Sequence, residues 1–411
     1  ERTFSMPAEE GARPAGRYVG TVARGIRAPI VRKGDAIAEM VVDSVLKASK
    51  AEGFPIRDRD VVGITESVVA RAQGNYATVD AIASDLRAKF GGDSLGIVFP
   101  ILSRNRYAVL LKGMARSTRH IVLQLSYPSD EVGNQLMEQD WLDEHGIDPW
   151  TDSLTEDQFR REFGRALHPF TGVDYVAYYR SLVEAEGAEC TILFSNRPET
   201  ILAYTRNVLA CDIHSRARTK RLLAAAGAER VYGLDDILSS PVNGSGYHPE
   251  YGLLGSNKAT EETVKLFPRD CQAVVERIQD LFRERLGKTV EVLVYGDGAF
   301  KDPVGKIWEL ADPVVSPAFT AGLVGTPNEL KIKYLADNQF AGLTGDALQQ
   351  AIARQIREKK GDLVGAMEAQ GTTPRRLTDL IGSLCDLTSG SGDKGTPIVY
   401  IQGYFDTFAE D

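Results

Sequence analysis

Between Leu95 and Leu238 the sequence alternates short apolar runs with amphipathic segments of helical period. The strand-like runs are Leu95 to Phe99, His120 to Leu125, Cys190 to Ser195 and Val208 to Ile213, and helical patterns lie around Arg106 to Ala115, Tyr175 to Ala185 and Ala217 to Ala226. Such alternation predicts parallel strands covered by helices, an α/β layer. No G-x-G-x-x-G follows a strand-like run, so the pattern does not indicate a dinucleotide site.

The size and charge of the chain limit its architecture and its partners. A chain of 411 residues exceeds what one hydrophobic core usually organises, so we expect two domains or one domain with a large insertion. The 43% apolar and 26% charged residues are typical of a globular protein. A formal net charge of -9 argues against a general nucleic-acid binder, which needs a basic surface.

The cysteines and the hydropathy of the chain indicate the cellular compartment in which the protein is expected. The four cysteines lie far apart, without the paired spacing of a zinc site or a disulfide framework. Apolar runs such as Leu95 to Leu102 are too short to span a bilayer, and Glu1 to Arg17 is polar. We therefore expect reduced thiols, a cytoplasmic location and no membrane partner.

Two segments flank the α/β layer. After an irregular lead-in over 1–17, Gly34-Asp35 precedes a helical pattern that Asp35 is placed to cap. A buried strand is predicted over Asp60 to Thr65 and a helix over Glu66 to Ala72. The turn-rich loop from Pro241 to Pro249 is a plausible boundary. The resulting division is a body over 18–92 and 245–411, interrupted by an α/β insertion over 93–244.

The C-terminal part of the body contains four further predicted segments. They are a helix over Cys271 to Arg285, a strand over Val290 to Tyr295, a helix over Asp346 to Lys359 and a closing strand over Pro397 to Gln402. Thr388 to Gly392 is predicted to be flexible, since serine and glycine dominate it.

The strand Val290 to Tyr295 delivers a carboxylate, Asp297, onto the turn Gly296-Asp297-Gly298. Hard divalent ions need carboxylate oxygens, and phosphates need close backbone approach. Asp297 is therefore a candidate metal ligand. The alternative is that it only shapes a turn.

Several motifs resemble the coenzyme F-420 L-glutamate ligase family. Tyr251 to Asn257, then Phe267-Pro268-Arg269-Asp270, a helix, the Asp297 strand and Pro303 follow the order of the family's A-G-I-D-x-S-N, L-P-x-D-P and S-D-T-F-G-R-P. Gly34 to Ile37 is similar to its G-D-D-L, Ile64 to Gly74 to its V-T-Q-K-I-V-S-K-A-E-G, and Gly392 to Gly403 to its closing strand. The resemblance covers roughly 18–92 and 245–411.

The chain also departs from these motifs. The acidic metal ligand of A-G-I-D-x-S-N falls on Leu254, and the threonine of S-D-T falls on Gly298. The family's serine and lysine fall on Ala70 and Arg71. One metal ligand is thus lost, and an arginine fork replaces a lysine point charge.

The resemblance implies a GTP- or ATP-dependent ligase that activates a carboxylate as an acyl phosphate, which the amine of L-glutamate then displaces. The implied acceptor is a cofactor such as the coenzyme F-420 precursor. Asp297 would hold Mg²⁺ or Mn²⁺ and act in catalysis with Arg71, which would face a phosphate. The remaining implied contacts to the nucleotide or the metal are Gly34, Asp35, Thr65, Ser256, Asn257 and Gly298. Family members pair as dimers, which implies a homodimer here.

Polar clusters in the insertion offer further candidates. Ser103 to Arg106 lies at a predicted helix start, where free backbone N–H groups and two guanidinium groups suit an anionic substrate. The alternative is a capped helix with solvated arginines. Asp130-Glu131 is a candidate metal site or a polar loop. Asp212-Ile213-His214 is a candidate ligand or base, or an ordinary strand end. His248 is more simply structural, and the five scattered histidines form no zinc set.

Three functions remain open at this point. The first is the amide ligase, with the coenzyme F-420 precursor, folate or another cofactor carboxylate as acceptor. The second is a relic that binds a nucleotide or metabolite without catalysis, which the loss at Leu254 would allow. The third places separate chemistry, such as group transfer, in the insertion.

Overall fold

The computed structural model describes residues 19–169, 171–297, 314–359, 361–369, 375–389 and 393–409. The strands are β1 Val22–Ile26, β2 Val61–Thr65, β3 Tyr76–Thr78, β4 Ser94–Val98, β5 His120–Leu125, β6 Leu154–Thr155, β7 Glu189–Phe194, β8 Asn207–Ala210, β9 Arg230–Gly233, β10 Asn257–Thr260, β11 Thr263–Lys265, β12 Glu291–Asp297, β13 Val314–Phe319 and β14 Ile398–Gln402. The α-helices are α1 Ile37–Glu52, α2 Glu66–Gln73, α3 Val79–Phe90, α4 Tyr107–Ser117, α5 Gln139–His145, α6 Glu156–Phe163, α7 Tyr175–Ala185, α8 Arg216–Ala225, α9 Cys271–Leu286, α10 Ile332–Tyr334, α11 Gly345–Glu358 and α12 Leu377–Ser389. The fold is therefore of the mixed α/β class predicted.

The segment 93–244, which was predicted to be an insertion and keeps that name below, carries a six-stranded sheet of order β6-β7-β5-β4-β8-β9. All neighbours are parallel except the short edge strand β6. The predicted parallel layer is thus present, and β5 and α7 have the predicted bounds. β8 ends at Ala210 and not at Ile213, because the next residues turn to present their backbone N–H groups to Glu131.

The body is built on a five-stranded sheet of order β1-β14-β2-β12-β13, in which β2 and β12 run parallel. Alternate residues of β12 pack on opposite faces, as strand geometry requires. Val292 and Val294 join the core under α1 and α9, whereas Leu293 and Tyr295 join the core under α12. Both faces of this sheet are covered by helices.

Helix α12 corrects the prediction of a flexible segment that begins at Thr388. Thr388 and Ser389 form the last turn of this helix, while 390–392 lie outside the described residues. Cys385 packs so closely on the sheet that a Cβ at Gly63 would lie 2.4 Å from its Sγ. Tertiary packing thus extends the helix beyond what local composition indicates.

A three-stranded sheet of order β10-β11-β3 lies between body and insertion. Val264 of β11 packs in the same core as the insertion sheet, as do α3 and residues 253–254. That core therefore reaches beyond 93–244 on both sides. Among the described residues no helix is long and apolar enough to cross a membrane.

Candidate functional site

A cleft of about 830 Å³ opens where β2 and β12 end beside the β10–β11 hairpin. Its volume is in the range of small-molecule sites, roughly 300 to 1,000 Å³. The lining residues are Thr65, Glu66, Ser67, Arg71, Tyr76, Asn257, Lys258, Ala259, Thr260, Thr263, Lys265, Gly296 and Asp386. Three residues predicted from the sequence, Thr65, Arg71 and Asn257, therefore meet in one cavity.

The parallel pairing of β2 and β12 brings two functional segments side by side. Thr65 is in register with Tyr295, so the next residues, Glu66 and Gly296, are neighbours at the carboxyl ends of the strands. A Cβ at position 296 would lie 2.2 Å from Cγ of Glu66. Only glycine fits at this contact. Gly296 lines the cleft, and Asp297 is the next residue of the chain.

Helix α2 places Arg71 on the wall of the cleft. Ser67 and Arg71 are four residues apart and lie on one face of the helix. Nε of Arg71 donates a hydrogen bond to the carbonyl of Val31 at 3.1 Å, which orients an otherwise exposed guanidinium. Arg71 has no carboxylate partner among the described residues, so its Nη groups suit an anionic ligand.

The β10–β11 hairpin forms the opposite wall. Asn257 is half-buried, and Lys258 is exposed and paired with Glu261. The hydroxyls of Thr260 and Thr263 lie 2.7 Å apart across the hairpin. This wall offers amide, hydroxyl and ammonium groups to a ligand.

A buried ion pair lies at the cleft between α2 and β11. Nζ of Lys265 is 2.8 Å from each carboxylate oxygen of Glu66. The side chains are 9% and 6% exposed, respectively. The sequence interpretation missed both residues, although a lysine between Val264 and Leu266 interrupts an apolar run and was a detectable signal.

Gly34 and Asp35, predicted to contact the nucleotide, do not line the cleft. Gly34 has φ +91° and its N–H donates to the carbonyl of Ala72 at 2.8 Å, which holds this loop on the end of α2. The carboxylate of Asp35 accepts from the N–H of Arg32 at 2.6 Å. The predicted capping of α1 by Asp35 is wrong, because its carboxylate closes this local turn and Ala36 occupies the N-cap position.

Ser256 and Asn257 line different pockets, although both were expected beside the metal. Ser256 is 4% exposed and lines a second, small pocket of about 30 Å³ against the insertion. Leu254 lines the same pocket and is 3% exposed in the insertion core. Neither lines the cleft, because Asn257 begins β10 while the preceding segment packs on the insertion.

Besides the predicted Asp297, the lining of the cleft has two residues with oxygen donors that a hard divalent cation could use. The backbone of β12 is described as far as Asp297, whereas the carboxylate of Asp297 and the whole of Gly298 lie outside the described part. Asn257 and Asp386 add oxygen atoms to the lining, which is the donor type that Mg²⁺ and Mn²⁺ prefer. The described residues alone contain no cluster of three His, Cys, Asp or Glu that could hold a metal ion, and the metal role of Asp297 stays a prediction.

The strand order of the insertion sheet reverses at the carboxyl ends of β4 and β8, a place that we call the crevice. Open α/β sheets usually bind ligands at such a point. Here the carboxylate of Glu131 accepts from the N–H groups of Ile213 and His214 at 2.7 Å and of Ser215 at 3.2 Å. An internal carboxylate thus occupies the anion position at the start of α8.

The neighbouring polar candidates are also engaged within the protein. Asp130 accepts from the N–H groups of Leu102, Val132 and Asn134, which ties two loops together. The hydroxyl of Ser103 accepts from the N–H of Arg106 at 3.1 Å, which closes the turn before α4. The N-cap residue of α4 is Arg106, and its side chain does not cap this helix. These contacts are structural and leave the predicted metal and anion roles without support.

Asp212 is buried behind this crevice. Its Oδ2 accepts from the hydroxyl of Thr219 at 2.7 Å, while Oδ1 has no hydrogen-bond partner among the described residues. Burial raises the pKa of Asp212 to about 6, and the nearby charge of Glu131 contributes in the same direction. His248 stacks on Tyr251, and its Nδ1 accepts from the N–H of Tyr251 at 3.0 Å, in keeping with the structural interpretation.

Comparison with known proteins supplies the family. A family model described as F420-0:gamma-glutamyl ligase matches residues 25–403, which includes the insertion. A search of the curated proteins gives no match. Because the matched range covers nearly the whole chain, this protein belongs to the F420-0:gamma-glutamyl ligase family.

Proposed function

We propose that the chain is a nucleoside-triphosphate-dependent gamma-glutamyl-type ligase that works in the cleft. Family membership implies gamma-glutamyl ligase activity in F420 biosynthesis. The observation that carries the proposal is that Thr65, Arg71 and Asn257 share one cavity with the end of the strand that leads to Asp297. The nucleotide, the metal and the intermediate are part of the proposal.

The proposed reaction has two steps. A carboxylate oxygen of the acceptor attacks the γ-phosphorus of GTP or ATP, which forms an acyl phosphate and releases the nucleoside diphosphate. The amine of L-glutamate then attacks the acyl carbon, loses a proton and expels inorganic phosphate, which leaves an amide. Such transfers need positioning and charge neutralisation more than a protein nucleophile.

The residues of the cleft suit this requirement. Arg71 would bind a phosphate, since its guanidinium is exposed at the wall and oriented by Val31. Asn257 and Thr65 would provide polar contacts to the nucleotide or the amino acid. Asp297 would hold Mg²⁺ or Mn²⁺, which supplies positive charge to the phosphates when bound.

The wider setting is part of the same proposal. The acceptor is a small carboxylate-bearing cofactor, with the coenzyme F-420 precursor first and folate second. We propose a cytoplasmic homodimer that does not require nucleic acid or a membrane. A catalytically inactive relic is the alternative, and the burial of Leu254 in an apolar core favours it, because position 254 supplies no metal ligand.

Phosphate release separates these alternatives. The full chain is incubated with GTP or ATP, Mg²⁺ or Mn²⁺, L-glutamate and a panel of acceptors, and both phosphate and the amide product are measured. Phosphate release that requires both glutamate and one acceptor is expected of the ligase. Tight nucleotide binding without product supports the relic, and no nucleotide binding at all rejects the ligase.

A further inference from the structure

We propose that Lys265 is a fixed cation in the cleft that binds an anionic oxygen group of a substrate, and that Glu66 is its positioning residue. The ligand class is a phosphate or a carboxylate. This inference deepens the proposed function and rests on it for the identity of the reaction. The contacts that support it belong to the described part of the chain.

The strand alternation of β11 directs Lys265 to the cleft. Val264 is fully buried in the insertion core, so its neighbours Thr263 and Lys265 face the other side of the strand. Both of these neighbours line the cleft. An ammonium group is therefore built into a wall whose other face is apolar.

The hydrogen-bond capacity of Lys265 is only partly used. An ammonium group has three N–H donors, and Nζ of Lys265 uses two of them on the oxygens of Glu66. No third partner for Nζ occurs among the residues that the structure describes. One donor at the cavity wall remains for a ligand, and hydrogen bonds from a charged donor to an anionic oxygen are the strong ones.

Stability alone does not explain a buried lysine at this position. A buried ion pair is often no more stabilising than well-packed apolar residues of similar volume. Val264 and the following Leu266 already supply the contacts of this segment to the apolar core, whereas Lys265 lies on the opposite side, in the lining of the cleft. The placement at a cavity wall points to binding.

Glu66 holds the ammonium in position and links it to the reaction site. It lies in the first turn of α2, the helix that carries Arg71, and its side chain contacts Gly296. The pair therefore connects β11, α2 and the end of β12. Lys265, Arg71 and Lys258 bring three cations from three elements to one cavity.

The test measures anion binding to the full chain by calorimetry, with tripolyphosphate and L-glutamate as separate probes. The variants are Lys265→Met and the double variant Glu66→Gln with Lys265→Met, which leaves no unpaired buried charge. Lys89→Met is the matched control, because Lys89 pairs with Asp85 outside the cleft. Thermal unfolding checks that each variant is folded.

We expect wild type and Lys89→Met to bind at least one probe equally well, and both Lys265 variants to bind it about 10- to 100-fold more weakly, the loss of one charged hydrogen bond. The affected probe identifies phosphate or carboxylate as the ligand group. Unchanged affinity in the folded double variant overturns the proposal, as does binding of neither probe by wild type.

A measurement on the wild type guards against variants that do not fold. The bound probe should slow amide hydrogen exchange over 263–265, and no protection there rejects the proposal. Product formation from an acceptor and L-glutamate is assayed separately. If wild type forms product and the Lys265 variants form it at the same rate, this inference is rejected while the ligase proposal stands.

Discussion

Among the described residues, parallel strands end together in both of the larger sheets, and the two places differ in what they leave open to a ligand. At the ends of β2 and β12 the chain leaves about 830 Å³ lined by Arg71, Asn257 and Lys265. At the ends of β4 and β8, Glu131 takes the backbone N–H groups that a phosphate would use. Strand topology therefore marks both places, whereas the side chains decide which one can accept a ligand.

The largest effect is expected at the open cavity. Replacing Asp297 with Asn removes a carboxylate charge while preserving size, and we expect metal-dependent turnover to fall on the order of 10³-fold. Phosphate release and thermal unfolding are measured together. A folded variant with near-normal turnover would reject the metal assignment.

The next prediction concerns the position where the family has an acid. Leu254→Asp places an unpaired carboxylate in the insertion core, so we expect a loss of about 4 kcal/mol in the free energy of unfolding. Tighter binding of Mn²⁺, measured by calorimetry, would instead show that position 254 reaches the metal. Leu254→Met is the volume-matched control.

The buried Asp212 predicts a pH-dependent effect in the closed crevice. Its folded pKa is about 6, above the ordinary value of 3.8, so its favourable contribution is full below 3.8 and is lost as the pH rises through 6. Asp212→Asn should therefore stabilise the protein by up to about 3 kcal/mol at pH 8, about 1.4 kcal/mol per pKa unit.

Denaturant unfolding at pH 8 and at pH 4 checks this expectation. The gain should shrink toward pH 4, where Asp212 is almost fully protonated in the folded state and about 40% protonated in the unfolded state. A gain that does not depend on pH would mean that the raised pKa is not its cause.

A substitution of Glu131 tests whether the crevice of the insertion has only a structural role. Glu131→Ala removes the acceptor for the N–H groups ahead of α8, and we expect a loss of about 2 kcal/mol in unfolding free energy with ligase activity retained. Denaturant unfolding and product formation are compared. Lost activity in a variant of normal stability would give the crevice a functional role.

The smallest effect is expected at Arg71. Arg71→Met should weaken nucleotide binding about tenfold, the loss of one charged contact, and Arg71→Lys should restore part of it. Calorimetric titration with GTP and with ATP measures both variants. Equal affinity in wild type and Arg71→Met would make the arginine a solvated helix charge.

Local patterns predicted much of this architecture, because they depend on residues close in sequence. The parallel layer and the strand and helix around Thr65 follow from apolar periodicity and turn residues. Arg71 and Asn257 were identified through the resemblance to a family. None of these steps required knowledge of distant contacts.

Features that depend on distant contacts could not be predicted in this way. Glu66 and Lys265 are 199 positions apart, so no spacing rule connects them. The resemblance placed Ser256 and Asn257 together beside the metal, yet these two residues line different pockets. The closed crevice depends on Glu131 reaching residues 82 to 84 positions away.

Hydrogen–deuterium exchange with Mg²⁺ and GTP, and again with ATP, tests the contrast between the two places most directly. The account predicts slower exchange in peptides over 65–76 and 257–265 and no change over 99–106 and 211–216. Protection of the second pair of peptides, with none in the first, would contradict it and place the nucleotide in the insertion.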